Sequence, residues 1–128
     1  MERRFFIWSG FFGALAVGFG AFGAHGLRNF FAALPDGAER RAVWETASHY
    51  HLVHALALAF AGVLAGRTKS TAATISGLAF AAGIALFSGS LYALALTGVR
   101  ALGAITPLGG LLLIAGWVAA AIAAFAIR

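Results

Sequence analysis

Three histidines and a tyrosine stand close together in HYHLVH, residues 49–54, which runs directly into the apolar ALALAF. An imidazole can donate or accept a hydrogen bond, titrate near neutral pH or ligate a metal. At about 100° per residue of helix, Ala47, Tyr50, His51, His54 and Leu58 share one face. Glu45 and His49 fall one turn apart on a roughly opposite face and suit an i, i+4 pair. His51 and His54 are therefore the histidines able to act together, sharing a metal or flanking a haem, with His25 as a third ligand. The motif is weak, because metal sites normally add a carboxylate or further histidines. Asp36, Glu39 and Glu45 all lie closer to the ends of the apolar segment than His54 does. No Ser–His–Asp arrangement can be drawn either, for want of an aspartate near the serines. The chain has no cysteine, which excludes disulfides, thiolate catalysis and Cys-ligated zinc or iron–sulfur sites. No catalytic residue, resident metal or cofactor is assigned.

The elements that position these residues follow from composition. The chain has 128 residues, of which 62% are hydrophobic and 10% charged, and its mean hydropathy is +0.92. Soluble domains carry about a quarter charged residues. So few charges cannot cover a water-facing shell, and the partner of most of this surface must be a lipid bilayer. The net charge of +5 does not signal nucleic acid, because the basic residues flank apolar segments and form no basic face.

Four segments are each near the ~20 residues that cross a hydrocarbon core. Backbone groups cannot stay unpaired in lipid, so each must be helical. The expected architecture is an all-α integral membrane four-helix bundle, one domain over residues 1–128, with helices at 5–24, 37–65, 71–96 and 107–127. The N-terminal segment has the look of a signal peptide, but its apolar run is long for one and its glycines are periodic, so it reads as a retained first helix. NFFAAL, residues 29–34, reads as a short interfacial piece between the first two helices. Asp36 and Glu39 have the spacing of a capping box, and Thr106 with Pro107 suits an N-cap followed by the first helical position. The second helix exceeds the core thickness, which places its first turns among headgroups with Trp44 as an interfacial anchor. Arg3, Arg4, Arg67, Lys69 and Arg128 fall on one side, and Arg28, Arg40, Arg41 and Arg100 on the other. The excess points to cytoplasmic termini.

Small residues let helices approach closely in lipid. The first helix carries Ser9, Gly13, Ala16, Gly20 and Gly23 at alternating spacings of four and three. Gly89 of the third helix and Gly109 and Gly116 of the fourth extend the pattern. These are helix-packing positions, within the chain or between copies in a homo-oligomer. His54 lies near mid-membrane, where an ionisable group turns inward and needs a partner on another helix. Ser88, Ser90, Tyr92, Thr106 and a backbone carbonyl near Gly23 or Gly26 are the candidates. With His25 and Tyr50, these side chains form an expected internal polar cluster.

GAFGAHGL at 20–27, the TAxxYxxxHALAL pattern at 46–58, LFSGSLY at 86–92, and LGAITPLGG with GW at 102–110 and 116–117 carry a resemblance. In these motifs the chain resembles the YgdD/YwdK-like family of small bacterial inner-membrane proteins. That family is also called domain of unknown function 423 and includes the mitochondrial transmembrane-protein-256-like proteins. The resemblance implies a four-helix protein of the inner membrane with no assigned activity. It places the family's motif at Gly23, His25, Gly26, Tyr50, His54, Ser88, Gly89, Ser90, Tyr92, Thr106, Pro107 and Gly109. The position of His51 is usually glutamine in that pattern, so a His51–His54 metal pair is not implied by it. Three functional readings stand: a non-enzymatic scaffold or accessory subunit, oligomeric or part of a membrane complex; a transporter of a small solute or proton using His54; and a metal or haem protein using His51, His54 and His25.

Overall fold

The computed structural model describes residues 1–127 of the chain, so Arg128, counted above with the cytoplasmic side, lies outside the described residues. Among the described residues five α-helices form in the order α1 (Glu2–Ala24), α2 (Arg28–Ala32), α3 (Gly37–Thr68), α4 (Thr71–Thr97) and α5 (Thr106–Ala124), with a 3-10 turn at Arg100–Ala104. No strand occurs among the described residues. Counting the 3-10 turn with α5, four helical segments among the described residues are long and apolar enough to cross a membrane, as the sequence predicts. α5 ends at Ala124, short of the expected residue 127, while α3 continues to Thr68, past the expected residue 65.

Ser70 before α4 and Asp36 before α3 show why a cap forms at one helix start that the sequence reading did not single out, and fails at the one it did. Ser70 has extended backbone (φ −82°, ψ 147°), so its hydroxyl swings over the new helix and accepts from the Ala73 amide at 3.1 Å. Asp36, before α3, has φ −100° and ψ 22° and makes no side-chain cap. Its carboxylate instead meets Arg40 at 3.6 Å, and the expected capping box with Glu39 does not form. Thr106 is likewise not the cap of α5. It is the first helical residue, its hydroxyl is bonded to Ser90, and Ile105 takes the cap position.

The four long helices pack as a chain of neighbours. α1 lies on α3, α3 on α4 and α4 on α5, while α1 and α5 share no substantial contact among the described residues. The central layer joins Phe5, Leu58, Ala61, Phe80, Ile84 and Leu113. Trp44 belongs to a second layer with Phe31, Ala47, Tyr92 and Ala95 and is only 4% exposed, so it is a core residue and not the interfacial anchor expected. Its indole N–H donates to the Phe19 carbonyl of α1 at 2.8 Å, across a gap that only the bare Cα of Gly23 leaves open. Arg40 closes the other side of this layer. Its guanidinium donates to the Ala95 and Leu96 carbonyls at 2.8 and 2.7 Å, satisfying the C-terminal end of α4 where helix carbonyls lack partners.

Candidate functional site

On α3 the last charge before the apolar segment is Glu45 and the next is Arg67, which leaves 21 uncharged residues, 46–66. At 1.5 Å per residue they span about 31 Å, the thickness of a hydrocarbon core. His51 and His54 lie inside that zone, and both are buried, at 3% and 5% exposure.

The His54 ring is held at both nitrogens. Nδ1 donates to the Tyr50 carbonyl one turn back at 2.7 Å, and Nε2 accepts the indole N–H of Trp117 on α5 at 3.1 Å. A carbonyl only accepts and an indole N–H only donates, so the two bonds together fix the neutral tautomer with its hydrogen on Nδ1. A proton added at Nε2 would meet the indole N–H head-on and break the link to α5. His54 is buried and bonds to another helix, and its partner there is Trp117, none of those proposed from sequence.

His51 turns the other way, toward α4. Its Nδ1 lies 3.0 Å from the Tyr92 hydroxyl, which in turn is 3.5 Å from Ser48 Oγ. Phe12 and Phe19 of α1 pack against the His51 ring. Its Nε2 is buried without a hydrogen-bond partner, as is Ser76 Oγ. Since His51 and His54 face different neighbours, they share no centre, and no group of three or more potential metal-ligating side chains occurs among the described residues.

The remaining polar residues form separate links. Ser88 donates across to the Ala47 carbonyl of α3 at 2.8 Å, and Ser90 and Thr106 join α4 to α5 at 2.6 Å. The structure therefore does not gather the expected cluster around one point. It distributes it as α3–α4 links, an α4–α5 link and an α3–α5 link. Two members stand outside. Tyr50 is 42% exposed and contributes its carbonyl, not its phenol. His25 is exposed in the turn after α1, at the level of Trp44, because the neighbouring Gly23 packs on that indole. Ten residues of α3 separate Trp44 from His54, about 15 Å along the axis, which keeps His25 out of reach.

The packing positions also divide. Ser9 donates to the Ala55 carbonyl at 2.7 Å, Ala16 is buried, and Gly23 lies under Trp44. Gly109 meets the Phe87 backbone of α4, and Gly116 meets the Phe80 ring. Gly13, Gly20 and Gly89 have no atom of another helix within 4 Å of where a Cβ would stand.

Comparison with known proteins decides the family. The model of a protein family of unknown function, DUF423, matches residues 19–110. The chain belongs to that family. It is 47% identical to a UPF0382 membrane protein of Staphylococcus saprophyticus, covering 88% of this chain and 89% of the relative. A UPF0382 membrane protein of Staphylococcus haemolyticus is 49% identical over 87% and 86% of the two chains. YwdK, a UPF0382 membrane protein of Bacillus subtilis, is 47% identical over 86% of each. No solved structure matches the chain. The resemblance read from the motifs is thus shown, and this is a membrane protein whose family has no assigned activity.

Proposed function

We propose that this DUF423 chain is a non-catalytic scaffold or accessory subunit that works as a homo-oligomer or within a membrane complex. Its setting would be a bacterial inner membrane, with both termini cytoplasmic. The observation that carries this reading is the half-used seam of α1. Ser9, Ala16 and Gly23 are spent on α3, whereas Gly13 and Gly20 leave open space beside an edge helix. Phe6, Ile7, Phe11 and Val17 are exposed on that helix. Small residues with room beside them are what a second helix needs for close approach in lipid.

The polar residues support a structural role. His54, Ser88, Ser90 and Thr106 all end on another helix, and His54 has no free nitrogen with which to pass a proton. The reading is tested by purification from the native membrane in mild detergent with mass determination. The expected result is a discrete multiple of the 13.2 kDa chain or a stoichiometric complex. A monomer would contradict it. A proton or solute flux across liposomes that disappears in His54→Gln would replace it with a transport role.

A further inference from the structure

The elbow between α2 and α3 bounds an open surface cavity of about 510 Å³. Gly37 lets the elbow close, since a Cβ there would strike the Phe31 carbonyl. Ala32, Ala38 and Ala42 leave the floor unfilled, and Arg28 and Arg41 stand in its walls.

These two arginines differ from Arg40, whose guanidinium is consumed by the α4 carbonyls. Arg28 makes no salt bridge among the described residues. Arg41 gives only its Nε to Glu45, at 3.1 Å, and its side chain is 49% exposed. With Glu45 also lining the cavity, the site keeps one net positive charge and several free guanidinium N–H donors. Its depth is set by the charge pattern. Arg41 lies one turn outside Glu45, where the uncharged segment of α3 ends, so the donors sit at headgroup level while Phe31 continues into the core layer.

A planar guanidinium fork matches the oxygens of a phosphate. An alanine and phenylalanine floor beneath two such forks suits a phosphate that arrives attached to glycerol and acyl chains. We propose that the α2–α3 elbow binds the phosphate of an anionic glycerophospholipid, held between Arg28 and Arg41.

The test is native mass spectrometry of the intact protein in mild detergent. Phosphatidylglycerol is the probe, phosphatidylcholine the zwitterionic control and glycerol 3-phosphate the soluble one. Phosphatidylglycerol is expected to be retained in preference to both controls. Arg28→Gln and Arg41→Gln should each weaken it on the order of fivefold, the scale of one basic residue at an anionic membrane surface. Ala38→Leu, which fills the floor without touching a charge, should weaken it as well, with circular dichroism and mass confirming that the variant is folded. Arg3→Gln with Arg4→Gln, at the opposite end, should leave it unchanged. The proposal is overturned if phosphatidylglycerol is not retained, if glycerol 3-phosphate binds as tightly, if Ala38→Leu has no effect, or if the opposite-end variant weakens binding equally.

Discussion

The two edge helices of this molecule use their small residues in opposite ways. On α5, Gly109 meets the backbone of α4, Gly116 meets Phe80, and Trp117 reaches over to His54 of α3. The small positions there are filled from within the chain. On α1 the same kind of seam is filled at alternate positions only, with Gly13 and Gly20 facing nothing. Helices of similar composition can therefore differ in what they leave for a partner. In lipid, where apolar surface alone gives no drive to associate, that difference decides where a second chain can dock.

The comparison is broken most forcefully at α5. Gly109→Leu should cost about 3 kcal/mol of stability in detergent unfolding, because overpacking there displaces backbone and not a movable side chain. An unchanged unfolding curve would mean that α4 and α5 are not in the close contact described. The His54–Trp117 link comes next. A double-mutant cycle of His54→Ala and Trp117→Phe should give a coupling of about 1.5 kcal/mol, near the upper end for hydrogen bonds between membrane helices. The same cycle with Ser90→Ala and Thr106→Val should give about 0.6 kcal/mol, the typical value. The smallest effect on folding belongs to α1. Gly13→Leu with Gly20→Leu should leave the stability of the protomer within about 0.5 kcal/mol, while lowering the mass of the detergent-extracted assembly. Loss of the fold in that variant would show that these positions are used within the chain.

Much of the architecture was legible because charge and apolar length are read one residue at a time. The gap between Glu45 and Arg67 marks the hydrocarbon zone of α3 without any tertiary knowledge. The cost of leaving an ionisable group in hydrocarbon argued that His54 turns inward, and in the structure it is buried. Its partner was not legible, because pairing His54 with Trp117 requires the axial offset between α3 and α5, which the intervening helix and turn set. The same gap hid the role of Arg40, which reads as a membrane flank but reaches the end of α4. Trp44 carried a misleading signal. A tryptophan beside charged residues suggests a headgroup anchor, yet Gly23 opposite provides a slot that draws it inside. The burial of His51 had a usable sign in the sequence, namely Phe12 and Phe19 seven apart on α1, forming a stripe that closes over one side of α3.

In the proposed homo-oligomer, the open half of the α1 seam meets the same helix of a second copy of this chain. The absence of cysteine makes this directly measurable, since Gly13→Cys introduces the one thiol in the chain. Mild oxidation in native membranes should yield a disulfide-linked species at position 13, and none from Ala121→Cys on the exposed side of α5. No crosslink at position 13, or crosslinking of equal extent at both positions, would contradict the account.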